Sequence, residues 1–551
     1  MKRLFALLLS LVMICSVFAA CGGDGASSNG EKTDGSNSNN GPVDIGNFKN
    51  TDIYPLEGEH KLTMGVALDN ADDAYLMQMM EEAVGVDMTY QMITDEQAPL
   101  LFINSTDLPD MLFDAAAKFG LSMTQINEYG QAGLLIDYME YLDQMPNLAK
   151  AYAEHPDLFD GVITLDGEVY TLPYYVFTLK GVNNLLYFRE DHMKTAGWEA
   201  APTTVDEFTQ YLRDLKEHFG ASDPEYIPFT VYTASDIGYN AQLSRFLFPS
   251  FGELMEAGIH VDASGENVVV GFATEQYKYY LSYLRSLMAE GLLDPDVYDA
   301  KDSLMKAFLN EGHTSVNTLM VYMPSSAFPS GNLDIIIPAP LKSEYNADTK
   351  WAMPTVARSW GGMINANTED LDACLAYMDS FFATEDNPLD AEGQVFNLSF
   401  LWGKKGVDWN WKEQGEAYEV YDHEGFATNA AWGVVNGYSG TPYSGILHVL
   451  DYEKGVVGFK ATNVKENLVP HAVEVLRPES LPLTDDEHDI YADAWTDINK
   501  YVMEFQAAVL TGEKDIEAEW DTFISQLNEM GLQDVIDVYQ AALDRYNERS
   551  E

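Results

Sequence analysis

The sequence predicts an α/β protein built as two lobes and finished by a helical C-terminal tail. Three observations carry this reading. Strand-like and helix-like stretches alternate through most of the chain, the pattern of sheets covered by helices. At 551 residues the chain is long for one hydrophobic core. From Thr484 onward the apolar residues keep helical spacing alone.

The first lobe opens near HKLTMGVA (60–67), a strand pattern, followed by AYLMQMMEEAVG as helix and by DMTYQMI and DMLFD as strands; the alternation suggests a parallel α/β lobe. GVITLDGEVYTLP (161–173) sets two β-rich arms around Asp166-Gly167, a dipeptide that supplies the positive φ angles of a tight hairpin turn. A second α/β block follows. NLLYFRE (184–190) is a strand, and PTTVDEFTQYLRDLKEHFG opens with a capping box in which Thr204 caps the helix and Glu207 reaches back, with Gly220 closing it. TEQYKYYLSYLRSLMAEG is a helix ending at Gly291, and SLMKAFLNEGHTSVNTLMVY reads as helix then strand. In the tail, Thr484 and Glu487 form a second capping box, and Ile490, Ala494, Ile498, Tyr501, Phe505 and Val509 repeat at helical spacing. Two amphipathic segments around Trp520 and Tyr539 complete it, and Trp520 falls on a core-facing stripe. There are no internal repeats.

The amino-terminus has a different character. Lys2 and Arg3 precede LFALLLSLVMICSVFAA, an apolar run too short to span a bilayer comfortably and ending in small residues, so residues 1–20 read as an export signal. AAC at 19–21 resembles the lipobox of bacterial lipoproteins, which implies that cleavage leaves Cys21 as a diacylated N-terminus; Phe18 departs from the usual Leu of that motif. Buried acyl chains contribute about 0.8 kcal/mol per CH₂, enough for an anchor without a transmembrane helix. Residues 21–49 then form a leash: Gly, Ser, Asn and Asp dominate from Gly22 to Lys49, giving a flexible coil with a reach of about 30 Å.

Charge narrows the function. Lys and Arg total 31 against 88 Asp and Glu, a net charge of −57, which excludes an electrostatic grip on nucleic acid or anionic lipid and suits a solvated acidic surface. Of the three cysteines, Cys15 lies in the leader and Cys21 at the lipid site, so Cys374 has no internal partner. It sits at helical spacing with Leu371, Leu375, Met378 and Phe382, as a small buried hydrophobe. Catalytic grammar is sparse. The ten histidines form no H-E-x-x-H and no i, i+4 pair, there is no G-x-S-x-G, and no EF-hand loop is present. GASSNGEKT (25–33) has one residue too many for a phosphate loop and lies in the leash. DNADD (69–73) reads as solvated surface in preference to a calcium site. Neither a cofactor nor a metal is expected.

Lipobox, leash and two α/β blocks together resemble the family 1 extracellular solute-binding proteins, the carbohydrate-binding lipoproteins of ABC importers, in the large Gram-positive branch. TDLPDMLFDAAAKFG (106–120) resembles the family's G-D-x-P-D strand and loop, LDGEVYTLPYY its D-G-K-x-Y-x-x-P hairpin, and YFREDHMKTAGWEAAPTTVDEF its strand-helix-cap block. EGLLDPDVY, GVDWNW (406–411) and the tail from DINKYVMEFQ to YQAALDRYN continue the series in order. The resemblance implies a periplasmic-binding-protein-like type II clamshell: lobe 1 from 50–177 and 358–476, lobe 2 from 178–357 and 477–551. Hinge crossings are expected near Val176–Lys180, Ala357–Gly362 and Arg477–Leu483. It further implies a monomer without enzymatic activity, anchored by lipid at the extracellular face of the cell membrane, that captures an oligosaccharide and delivers it to ABC permease subunits. The competing reading is a surface glycan-active enzyme, or a glycan-binding lipoprotein that works without a transporter.

Sugars present flat C–H patches and a ring of hydroxyls, so their sites combine aromatic faces with directed hydrogen bonds from acids and amides. The family's ligand loops map to Asp69 and Asn70, to Asp114, to Tyr174 and Tyr175, and to Arg358 and Trp360. Three alanines, 115–117, occupy the loop that often carries an aromatic and an acid, leaving Asp114 alone there. Trp402, Trp409, Trp411, Trp432, Tyr438 and Tyr443 lie in a Trp- and Gly-rich region, 401–445, of which Trp402, Trp432 and Tyr438 are taken as stacking platforms against the alternative of core packing. Gly361 and Gly362 beside Trp360 permit close backbone approach at the expected hinge.

Overall fold

The structure is a computed structural model that describes residues 46–550 except 69, 96, 105–107, 114–118, 177–183, 232–243, 245, 253–257, 296, 298–311, 321–334, 349, 355–356, 360, 414–416, 422–435, 437–444, 448–462, 464–465, 477 and 479–480. All of them belong to one unit, Pro42–Glu551. The leader, Cys21, and the helix expected before Gly312 lie outside the described residues.

Alternation in the first block builds a sheet. Strand β1 (Lys61–Val66) turns Leu62, Met64 and Val66 inward and pairs in parallel with β2 (Asp87–Met92) and β3 (Met111–Phe113). The helix Tyr75–Val84 makes the crossover between β1 and β2, burying Leu76, Met77, Met79, Met80 and Val84. Around Asp166-Gly167 the chain turns as expected, with Gly167 at φ 93° and a bridge between Ile163 and Val169. The arms do not extend into a ladder. Val169 gives its N–H to Asp137 Oδ1 (2.8 Å) and its carbonyl to Tyr138 N–H (2.8 Å), so its backbone is already spent.

Strand β4 (Pro173–Val176) leaves the first block, and the second sheet follows: β5 (Asn184–Arg189), β6 (Phe229–Val231), a hairpin of β7 (Ile259–Val261) and β8 (Val268–Val270), β9 (Val316–Met320) and β10 (Ile335–Ile336). Its order is β10-β5-β9-β6, with β5 antiparallel to both neighbours and β6 parallel to β9. The chain then runs through β11 (Trp351–Pro354) and β12 (Ala357–Ser359) into β13 (Gly362–Ile364), which joins the first sheet beside β3. The second sheet is thus mixed through β5, and the antiparallel β13 makes the first sheet mixed where a parallel one was expected. The reason is topological: β13 arrives from the other block instead of through a helical crossover, and the handed βαβ rule does not bind it.

Two apolar cores result. The first gathers residues between Tyr54 and Leu172 with others between Ile364 and Phe400; the second gathers Leu186 to Leu341 with Leu481 to Leu543. Each is assembled from separated stretches of sequence. Cys374 is fully buried in the first, on the helix Leu371–Ser380, and burial pushes its thiol up to about 12.

The caps show where local grammar met tertiary demand. Thr204 accepts the N–H of Glu207 (3.1 Å), but the Glu207 carboxylate bonds Thr203 N–H and Oγ1 (both 2.8 Å), one residue farther out than a regular box. Lys342 explains the shift, since its backbone pairs with Thr203 and Val205 and fixes the entry strand. Gly220 is the last helical residue, with Ala221 as the cap. The Thr484–Glu487 box is complete in both directions and starts the helix Asp485–Thr511, followed by Ile516–Glu529 and Leu532–Ser550. Ile498, Phe505, Val509 and Trp520 are buried in the second core, as expected; Ile490 is exposed, because Tyr491, Ala494 and Trp495 take the core-facing side of those turns.

Beyond β13, β14 (Trp409–Glu413) and β15 (Ala417–Val420) pair with each other; between the cores, β4 lies antiparallel to β12 and parallel to β16 (Gly445–Leu447), while β11 pairs in parallel with β17 (Ala472–Val475). Gly361 and Gly362 do permit close approach. A Cβ on Gly361 would sit 2.6 Å from the Leu172 carbonyl oxygen, and one on Gly362 would strike Met378 Sδ at 2.4 Å. Leu172 N–H and Tyr138 Oη both donate to the Gly362 carbonyl, at 2.9 and 3.0 Å. Because the obstacle at Gly361 is backbone, Gly361→Ala is expected to destabilise by about 1–3 kcal/mol, read as a lower urea midpoint at unchanged slope; an unchanged midpoint would contradict this packing.

A buried polar cluster ties the start of the described chain to the first core. Asn50 and Asn147 exchange side-chain hydrogen bonds (3.0 and 2.9 Å), and Asp379 accepts from Asn147 Nδ2 (2.7 Å), Leu148 N–H (2.9 Å) and Tyr54 Oη (3.3 Å). Burial pushes the Asp379 carboxyl up to about 7 despite these donors. A native carboxyl raised above its unfolded value of about 4 binds its proton preferentially in the folded state, so stability falls as pH climbs from about 4 to 7 and then levels. Asp379→Asn should remove that component. Urea midpoints at pH 5 and pH 8 check it, and equal slopes in parent and variant would refute it.

Candidate functional site

In a parallel sheet, ligands meet the carboxyl ends of the strands, where loops leave toward the crevice. Register places the expected loops there. Val66, the last residue of β1, pairs with Phe113, the last of β3, so the two strand ends, with Asn70 four residues beyond the first, lie side by side. Gly362, the first residue of β13, also pairs with Phe113, so the 358–361 segment enters at that same edge.

The crossing ribbon adds two more segments. Arg358 lies opposite Tyr174 and Ala357 opposite Tyr175, while on the other side of β4 Gly445 pairs with Tyr174 and Ile446 with Tyr175. For Tyr174, Tyr175 and Arg358 it is the backbone position that is described. The Trp- and Gly-rich region reaches this edge a second time, where the Asn436 carbonyl accepts Leu76 N–H (3.0 Å) in the first turn of the helix Tyr75–Val84. An orphan N–H of a helix start is thereby satisfied by a segment distant in sequence. Five stretches chosen from sequence thus converge on one edge. Asp69, Asp114, Trp360, Trp432 and Tyr438 themselves fall outside the described residues.

Local sequence explains how the edge is held. Asn70 starts the 3-10 turn Ala71–Asp73, which buries Ala71, and Ala74 behind it is fully buried. Asn70 itself is half-buried. The Asp72 carbonyl accepts from Gln78 Nε2 (2.8 Å), pinning the turn to the helix. Tyr75 donates to Asp408 Oδ2 (2.8 Å), which also takes Lys404 N–H (2.7 Å). Burial and then Asp408 hold the Tyr75 phenol well above its ordinary range, so it stays a donor at every physiological pH.

The remaining aromatics divide. Trp409 is fully buried and donates to the Gly403 carbonyl (2.9 Å), a core role. Trp411 is half-buried and donates to Glu385 Oε2 (2.8 Å), with Lys405 paired to the same carboxylate. Trp402 ends a short helix, Ser399–Trp402, packed on the helix Tyr75–Val84, and is half-buried. Sequence reasoning passed over Tyr75 and Asp408, since a Tyr in a helix start and an Asp in a turn carry no spacing signal. Among the described residues, no group of three His, Cys, Asp or Glu is placed to hold a metal, and no helix is long and apolar enough to cross a membrane.

Two cores of discontinuous segments, strands crossing between them and three helices at the end form the two-lobed α/β fold that a resemblance to the family 1 solute-binding proteins implies. The comparisons agree. The chain is 22% identical over 538 residues, 90% of its length and 92% of the relative's, to the fructooligosaccharide ABC transporter substrate-binding protein FusA of Streptococcus pneumoniae. Among solved structures, an HMO-binding ABC-transporter-associated solute-binding protein from Bifidobacterium longum infantis matches with a TM-score of 0.71 at 17% identity, covering 89% of this chain and 99% of that one. FusA in complex with kestose matches with a TM-score of 0.68 at 19% identity, covering 89% and 100%. Residues 489–548 match a domain of unknown function, DUF3502.

Proposed function

We propose that the protein is an extracellular, lipid-anchored solute-binding protein that captures an oligosaccharide between its lobes and delivers it to an ABC permease. The observation that carries this reading is the convergence of five separated stretches on one strand-end edge, beside the ribbon in which Arg358 and Tyr174 are paired. A guest touching both lobes stabilises the closed arrangement by its differential affinity for it, and the permease reads that closure. The lobes are bounded as the sequence suggests, 50–177 with 358–476 and 178–357 with 477–551. Relatives named for fructooligosaccharide and kestose support a sugar. The excess of 88 acidic over 31 basic residues favours a neutral one. Cys21 is the lipid site, and Asp69, Asn70, Asp114, Tyr174, Tyr175, Arg358, Trp360, Trp402, Trp432 and Tyr438 are the candidate ligand contacts.

Calorimetric titration with a panel of neutral oligosaccharides that includes kestose should give saturable heat with the sugar recovered intact. New reducing ends in the recovered sugar would replace this reading with a hydrolase. Trp360→Ala is expected to weaken binding by about 1–3 kcal/mol if the indole stacks on the ring; full affinity in the folded variant removes that residue from the site. Cys21→Ala should shift the exported protein from the membrane fraction to the medium, and retention on the membrane would exclude the acyl anchor.

A further inference from the structure

We propose that the last helix, Leu532–Ser550, most of which falls in the match to the domain of unknown function, is a brace that sets the angle between the two lobes, with Tyr546 as its contact on the first. The helix belongs to the second lobe. Leu532, Val535, Val538, Tyr539, Ala542 and Leu543 are all buried in the second core. Its final turns are fastened there at several points. Gln540 accepts Val268 N–H and donates to the Glu266 carbonyl, both at 2.9 Å, and Asn547 donates to the Gly265 carbonyl at 2.9 Å, so the hairpin of β7 and β8 is locked to it. Arg545 forms a two-pronged pair with Glu487 (2.8 and 2.6 Å) and donates to the Pro482 carbonyl (3.3 Å), holding the segment by which the chain enters the tail.

The next residue reaches the other core. Tyr546 Oη donates to Asp160 Oδ2 at 2.6 Å. Asp160 belongs to the first lobe: it follows the 3-10 turn Pro156–Phe159, and Phe159 and Val162 on either side of it are buried in the first core. That turn packs on both β4 and β12, the strands that cross between the lobes. The bond therefore spans the lobes beside the pivot, from a helix end that is itself immobilised. A hydroxyl-to-carboxylate bond this short is among the stronger neutral-donor contacts and is lost when its ends part by about 1 Å. Present at one lobe angle and absent at another, it biases the ratio of the two arrangements by about tenfold.

Small-angle scattering on the full chain without ligand tests this, so it stands or falls apart from the oligosaccharide titration. Tyr546→Phe and Asp160→Ala should each widen or displace the interlobe distance distribution to an extent matching a shift of about tenfold in population. The double variant should go no further than either single one, and the thermal midpoint should stay near the parent's. A scattering profile identical to the parent's in both variants overturns the proposal, as does a double variant whose change is the sum of the two. If Tyr546→Phe does not fold, Asp160→Ala alone decides by the same comparison.

Discussion

The fold depends on one backbone contact. Where the hairpin arm ends, Leu172 lies so close to Gly361, and Met378 to Gly362, that no side chain fits, and Leu172 N–H and Tyr138 Oη both close on the Gly362 carbonyl. From that junction β4 departs and β13 arrives. Because departing and returning strands are fastened together at the first core, β4 and β12 pair as neighbours and Arg358 falls opposite Tyr174. The alignment of the candidate site is therefore fixed by the same contact that lets one chain build two cores.

The second constraint is that neither core is continuous in sequence. The second takes its sheet and its helices from Leu186 to Leu341, yet it also needs Leu481 to Leu543. The tail is thus part of a lobe and no appendage. A chain that visits each core more than once must cross between them, and each crossing needs its backbone hydrogen bonds satisfied. Pairing β4 with β12 and β16, and β11 with β17, meets that need with strands, which bend between lobes at less cost than a packed layer of helices would.

Much of this was legible beforehand. The strands at 61–66, 87–92 and 111–113, the helix at 75–84 and the complete capping box at Thr484 follow from period and cap chemistry that act over a few residues. What failed to show was non-local. The first sheet is mixed because β13 enters from the far lobe, the box at Thr204 is displaced by Lys342, and the arms around Asp166 stop short because Asp137 and Tyr138 claim Val169. For the candidate site, the strands that position the expected loops carry a local period, while the loops themselves come from the family resemblance. The Tyr75–Asp408 bond was not legible, since its partners are 333 residues apart and neither belongs to a recognisable pattern.

The buried cluster of Asn50, Asn147 and Asp379 has a mechanical side. Phe48 and Asn50 are gripped by Asn387 as well as by Asn147, all within the first core's territory. A force applied to the chain at Phe48 is therefore met first by Asn147 and Asn387 in that body, ahead of any strand that crosses to the second.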